Sequence, residues 1–417
     1  MHLLSSAALV WLLVQGATAQ NCQAVTGRFQ PKVGQGYRVN AIATGLRSPR
    51  HIVVDTAGNL LVAESGVGSV KRLVLTENNG NVCVKSSSSI TPAQSTNHGI
   101  ALSADGKTLF TSNLNNVYAF PYNAETGAVG TSKTIITGMS NGGTHPTRAI
   151  FASKASPDTI LVARGANNNI DTTTQQQSTG RGIIKSFSIS ATSSSPAQYA
   201  SQGQVLGWGL RNIVGMGEHP GDGGVWSVEN SLDDTRLNGR DVHNENPAEK
   251  LNFHGMLNNT NNPRKGLNFG YPSCFPAWDT QLLGISGIKV GDLFMPDSVP
   301  RASDCASRAT GASQLRPGNA VCPNIKRRES LALVAFHGSW NRRPADGYRV
   351  MRVDFGSDGQ PVASPQSTTA SIPVMENTNL GACPGACFRP VGLDFDQKGR
   401  LFVSSDSSGE IYVIYGA

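Results

Sequence analysis

Five segments of this 417-residue chain fall on one frame, with a cation or a histidine two places ahead of the first apolar residue of an alternating run. They are Arg50-His51-Ile52, His98-Gly99-Ile100, Arg148-Ala149-Ile150, Arg211-Asn212-Ile213 and Arg389-Pro390-Val391. Each leads through a turn, usually holding Gly or Asp, into a second apolar run, as in IVVDTAGNLLVAES and VGLDFDQKGRLFVSSD. Period-2 runs joined by such turns are β-hairpins, and their recurrence at long spacing predicts an array of similar sheets instead of one sandwich. If the sheets are propeller blades, equivalent strand starts line one mouth of a central channel. Four arginines and His98 then converge there. A closed ring of like charge is unfavourable unless something anionic sits inside it, so the pattern points to a polyanionic ligand on the axis.

A sixth blade is needed, and residues 330–355 supply two further alternating runs around a polar loop. Their frame differs, because His337-Gly338-Ser339-Trp340-Asn341-Arg342 follows the first run instead of preceding it. The expected fold is therefore an all-β, six-bladed β-propeller with its active site at the central channel mouth. A chain of this length exceeds one hydrophobic core, yet a propeller adds a small core with every blade. One domain over residues 20–417 is expected. With 46 Gly, 22 Pro and 15% charged residues, the composition is that of a turn-rich β protein. The net charge of +7 is scattered, with no Lys/Arg run longer than Lys326-Arg327-Arg328, which argues against nucleic acid as a partner.

Residues 1–19 carry an apolar stretch and the small-x-small sequence Ala17-Thr18-Ala19, read as a secretory signal cleaved before Gln20. No other apolar run reaches a membrane-spanning length, so an extracellular, non-membrane, monomeric protein is expected. Seven cysteines remain, Cys22, Cys83, Cys274, Cys305, Cys322, Cys383 and Cys387. In an oxidising compartment most should pair and one is left over. Cys383 and Cys387 flank a Pro-Gly turn and are placed to close a small loop, with metal binding as the weaker alternative. Asn258-Asn259-Thr260 is a glycosylation sequon.

Two segments carry chemistry besides the ring. Trp340, in a glycine-flanked polar loop, offers a flat surface for stacking a ligand, or else fills a gap between blades. Ser231-Leu232-Asp233-Asp234, followed by Asp241, Glu245 and Glu249, gathers carboxylates and turn carbonyls of the kind that calcium takes. The alternative is a solvated acidic loop.

The strings GLRSPRHIVVDTAGNLLVAE, NHGIALSADGKTLF, GWGLRNIVGMGEHP, WSVENSLDD, NFGYPSC, AFHGSWNR and FRPVGLDFDQKGRLFVSSDSSGEIYVI resemble the fungal secreted pyrroloquinoline-quinone-dependent sugar dehydrogenases, which are related to soluble glucose dehydrogenase and the sorbosone dehydrogenase group. The resemblance runs from Gly45 to Ile414. It implies oxidation of a pyranose at the anomeric carbon, with pyrroloquinoline quinone and calcium as cofactors and a haem protein as electron acceptor. It implies His98 as general base, Arg211 and Asn212 as cofactor contacts with Arg211 also catalytic, and Arg389 on a cofactor carboxylate. It implies that Ser231 and Leu232 hold the cofactor's calcium through backbone carbonyls, beside Asp233, and that Glu249 belongs to a second, structural calcium site. Arg50, Arg148, Arg164, His337 and Trp340 join the expected cofactor site from ring position and loop chemistry.

The chain departs from the bacterial glucose enzyme where Ser231-Leu232 replaces a G-P pair and DDTRLNGRDVHNENPAEKLN replaces GDDELN. It stops three residues after its last expected strand, so no appended haem or cellulose-binding module is expected. Two rival readings stand beside this one. A calcium-dependent propeller hydrolase of the lactonase kind would place carboxylates and asparagines, not arginines, on the axis. A non-catalytic propeller that binds an acidic glycan or protein would leave the His98 segment unexplained.

Overall fold

The computed structural model describes residues 22, 25–139, 143–246, 249–309, 313–315, 324–327 and 330–416, the two short strands 313–315 and 324–327 by backbone alone. The signal segment 1–19 and Cys322 lie outside the described residues. Six blades follow one another, each built on four antiparallel strands; the second, third and fifth carry a short fifth strand on the outer edge, parallel in the second and third. Blade 1 comprises Pro49–Val54, Leu60–Glu64, Ser69–Asn78 and Asn81–Ser89. The inner strands of blades 2 to 6 are Ile100–Leu102, Ile150–Ala152, Asn212–Glu218, Asn324–Arg327 and Pro390–Phe395. Each inner strand contacts the next around a closed ring. That ring encloses the expected central channel.

Blade 6 is closed from both ends of the chain. Its outer strand is Arg38–Ala43, which pairs antiparallel with Glu410–Tyr415. An N-terminal strand completing a C-terminal sheet ties the two ends of the ring together.

The strands read as continuous apolar runs because both faces of every blade are covered. In Leu60–Glu64, Leu60 and Val62 pack toward blade 6 while Leu61 and Ala63 pack toward blade 2. Six such clusters, one per blade junction, form the core. At the axis the spacing is tight enough to dictate glycine. A Cβ at Gly99 would lie 2.4 Å from the carbonyl oxygen of Arg148 and 2.5 Å from Ser112 Oγ, so blades 2 and 3 meet there only without a side chain.

The register explains the odd frame of the sixth repeat. Within each hairpin the start of the inner strand faces the end of the second, as in Pro49↔Glu64, Asn212↔Asn230 and Pro390↔Ser405. Both therefore open onto one mouth. Leu331–Phe336 and Arg349–Asp354 are the second and third strands of blade 5, not the first and second as the repeat suggested, and Asn324–Arg327 lies inside them. His337 thus ends a second strand, which brings it to the same mouth as the inner-strand starts.

Among the described residues three disulfides, Cys22–Cys83, Cys274–Cys305 and Cys383–Cys387, tie segments together, the last closing the small loop expected from sequence. Among the described residues no helix is long and apolar enough to cross a membrane.

Candidate active site

A cavity of about 480 Å³ opens at this mouth. Arg50, His145, Asn169, Arg211, Asn212 and Val214 line it together with Asn230, Ser231, Asp233, Asp234, Glu249 and Trp340. Of the residues expected from sequence, Arg50, Arg211, Asn212, Ser231, Asp233, Glu249 and Trp340 share its wall. His98, Arg148, Arg164, Leu232, His337 and Arg389 are not in the lining.

Arg211 is the most firmly held member. Its Nη2 meets Asp233 Oδ2 at 2.5 Å and Asn169 Oδ1 at 2.9 Å, and its Nε donates to the Asn169 carbonyl at 3.2 Å. Its backbone N–H donates to Glu229 Oε1 at 2.7 Å, while Lys250 Nζ and Asn252 Nδ2 hold the other Glu229 oxygen at 2.9 and 3.0 Å. Charged hydrogen bonds of this kind fix a guanidinium in one plane. Across the cavity, Arg50 Nη1 reaches Asp406 Oδ2 at 2.6 Å, and His337 Nε2 reaches the other oxygen at 2.8 Å. Burial pushes the Asp406 carboxyl up, but His337 and Arg50 together hold it well below the usual carboxylate range. Burial lowers the pKa of His337, against the partial offset of Asp406.

The bare cationic ring expected from sequence is therefore corrected: two of its charges have carboxylate partners, and the other arginines turn to backbone carbonyls. Asp406 and Asp233 neutralise Arg50 and Arg211. Arg148 turns back into its own loop, donating to the carbonyls of Met139, His145 and Thr147, and burial pushes it down to about 10. Arg164 reaches the Thr179 carbonyl at 3.4 Å. Arg389 donates to the carbonyls of His337 and Gly338 at 3.2 and 3.0 Å, which orders the Trp340 loop from below. The site stays cationic, but less so than a bare ring, so shape and the remaining donors share the argument for an anion.

His98 is fully buried, its Nε2 2.8 Å from the carbonyl of the cavity-lining Val214. A carbonyl only accepts, so Nε2 carries the hydrogen and Nδ1 keeps a lone pair. That Nδ1 is buried with no hydrogen-bond partner. Burial, with Arg50 and His51 nearby, holds the imidazole's pKa well below its usual value, and His51 stacks on it at 5.8 Å. Asn212 Oδ1 is likewise buried without a partner.

Among the described residues no group of three or more His, Cys, Asp and Glu side chains could hold a metal ion. The acidic stretch is divided: Asp233, Asp234 and Glu249 line the cavity, while Asp241 and Glu245 do not, Asp241 being exposed and bonded to His243. Glu249, expected at a second, structural calcium site, stands in the same wall as Ser231, whose N–H donates to its Oε2 at 2.7 Å. Burial raises its pKa well above the usual carboxylate value. The Leu232 side chain packs against Ala166, Tyr271 and Phe275, so that only its backbone faces polar surroundings, Thr235 Oγ1 donating to its carbonyl at 3.3 Å. Trp340 stands on the rim with 56% of its surface exposed.

The sequence reading missed Asp406, Asn169 and His145. Asp406 follows the second strand of blade 6 at the place where His337 follows that of blade 5. The shared mouth of inner-strand starts and second-strand ends was the available signal. Asn169 and His145 sit in loops with no repeat to mark them.

The TrAA12-like family profile matches residues 31–417. A pyrroloquinoline quinone-dependent sugar dehydrogenase from Hypocrea jecorina is 40% identical over 424 residues, covering 98% of this chain and 95% of the relative. The chain belongs to this TrAA12-like family of quinone-dependent sugar dehydrogenases. A pyranose dehydrogenase from Coprinopsis cinerea is 36% identical across 93% of the chain, which spans about half (55%) of that relative's length. Among solved structures, the calcium structure of a Trichoderma reesei family AA12 enzyme superposes with a TM-score of 0.89 at 38% identity, covering 96% of this chain and all of that one. The holo form of the Coprinopsis cinerea pyranose dehydrogenase PQQ domain gives 0.86 at 35% identity, covering 94% and 99%. The Streptomyces coelicolor aldose sugar dehydrogenase, at 15% identity and 0.56, shares the fold. Membership in the TrAA12-like family makes the chain an oxidoreductase and accounts for six blades around a polar mouth.

Proposed function

We propose that this chain oxidises a pyranose or other aldose at the anomeric carbon, using pyrroloquinoline quinone in the 480 Å³ cavity. The observation that carries the reading is the meeting of Arg50, Arg211 and Trp340 on that one cavity, in a chain whose relatives are named for the same cofactor. The size suits a small flat ligand. When bound, the cofactor supplies three carboxylates, a planar face and a quinone that accepts hydride. Arg50 and Arg211 would meet its negative charge, Trp340 would cover its face, and Asn212 would offer its unpartnered Oδ1 to a donor.

His98 acts as general base. It lies behind the cavity wall at Val214, on which its Nε2 is anchored, and its unpartnered Nδ1 would take the proton of an anomeric hydroxyl that reaches past that wall. Arg211, fixed by Asn169 and Asp233, needs no rearrangement to stabilise developing negative charge. Calcium would be held by the backbone carbonyls of Ser231 in the cavity wall and of Leu232 behind it, with Asp233 and the buried Glu249 as the carboxylates of that wall. Arg148, Arg164, His337 and Arg389 support the site from behind. Electrons then pass to a haem protein. Disulfides favour an oxidising, extracellular setting, with the exposed Asn258 glycosylated and the protein monomeric.

A test is to compare wild type with Arg211→Ala by quenching of tryptophan fluorescence on addition of pyrroloquinoline quinone and calcium. Saturable quenching in the wild type, weakened at least tenfold in the variant, supports the site. Equal quenching would place the cofactor elsewhere.

A further inference from the structure

His145 lines the cavity beside Arg211 and Asn212, yet none of the assignments above uses it. Its Nδ1 lies 2.7 Å from the Ala166 carbonyl, so Nδ1 carries the hydrogen and Nε2 the lone pair. Burial, together with Arg211 and Arg148, pushes its pKa down to about 4, which keeps the ring neutral at ordinary pH. Its loop is built from both sides. Thr144 N–H donates to the Asn167 carbonyl at 2.7 Å, and Asn97 Nδ2 donates to the Pro146 carbonyl at 2.9 Å, so the loop bridges blade 3 to the segment carrying His98. Beneath it lies Gly165, where a Cβ would come within 3.0 Å of His145 Cβ and 2.7 Å of Asn212 Oδ1. The imidazole is thus seated where only glycine leaves room.

A lone pair fixed in a cavity wall selects its ligand. It repels carboxylates, which only accept hydrogen bonds, and so does not suit a tricarboxylate cofactor. It suits a neutral polyol, whose every hydroxyl can donate. We propose that His145 is the sugar-positioning residue of this site, accepting at Nε2 a hydrogen bond from a hydroxyl of the bound pyranose. This rests on the sugar-dehydrogenase reading above and deepens it: His98 takes the proton, while His145 holds the ring that presents it. A sugar deoxygenated at that one position should bind like the native sugar binds to an enzyme without the imidazole.

The experiment uses the enzyme loaded with pyrroloquinoline quinone and calcium, as wild type, His145→Leu and His145→Gln. Calorimetry measures first the affinity for the quinone, then that for the 1,5-anhydro alditol of the fastest aldose substrate, which lacks the reacting hydroxyl. The expected result is quinone affinity within about twofold in all three, with analogue affinity lowered roughly tenfold in the Leu variant and largely restored in Gln, whose amide oxygen still accepts. KM should rise by a similar factor while kcat changes less. Unchanged analogue affinity in the Leu variant overturns the proposal, as does a loss of quinone affinity in its place. If the wild type itself binds no quinone, the dehydrogenase reading falls first.

Discussion

His98 reaches across the channel from blade 2 and places Nε2 2.8 Å from the carbonyl oxygen of Val214 on blade 4. This one bond fixes the ring's tautomer and leaves Nδ1 as its basic atom. Removing the base should leave the cofactor cavity intact. His98→Ala is expected to bind pyrroloquinoline quinone normally and to lose turnover by about a hundred- to ten-thousandfold. Steady-state rates beside a binding titration check this.

The same enclosure sets a pH dependence. His98 is held well below its usual pKa, first by burial and then by Arg50 and His51. It is therefore already unprotonated at pH 6.5, and kcat/KM should show no inflection there, falling only at lower pH. A profile that drops through 6.5 in the wild type but not in His98→Ala would mean that the imidazole is open to solvent.

Glu249 gives the opposite sign. Its folded-state pKa lies above the unfolded one because burial penalises the charge, so its contribution is fully present below about 4.5 and lost as pH rises toward the folded value. Glu249→Gln should stabilise the chelator-treated protein at pH 8, on the order of 1–2 kcal/mol, with the gain vanishing toward pH 4. It should also remove any stabilisation by added calcium. Thermal melts at the two pH values, with and without calcium, read both effects.

Trp340 is 56% exposed and supports no core. Trp340→Ala should leave thermal stability within about 0.5 kcal/mol and weaken quinone binding by roughly 2- to 12-fold, the worth of one aromatic stack. An equal melt and an equal affinity together would remove the tryptophan from the site.

At the blade 2–blade 3 junction, Gly99→Ala should destabilise by about 1–3 kcal/mol, since the new methyl meets the Arg148 carbonyl at 2.4 Å. Denaturant unfolding measures it.

The blades were legible because their chemistry is local. Alternation in Leu60–Glu64 and its counterparts, with turns between, defines hairpins, and five copies on one frame define the ring. The closing strand Arg38–Ala43 was not legible, since its partner lies at the other end of the chain. The site was half legible. Arg50, Arg211, Asn212 and Trp340 announce themselves by frame or type, but whether an arginine faces a ligand or a carbonyl depends on loops that the frame does not record. Arg148 and Arg389 share the frame and turn to backbone oxygens. Asp406 answers Arg50 from 356 residues away, a distance that no local pattern spans.

The most direct measurement is a titration of calcium-loaded apoprotein with pyrroloquinoline quinone, with visible spectra taken before and after a panel of aldoses is added. Saturable binding followed by sugar-dependent reduction of the quinone spectrum is expected. A protein that binds no quinone, or whose bound quinone no aldose reduces, would contradict its assignment as a sugar dehydrogenase.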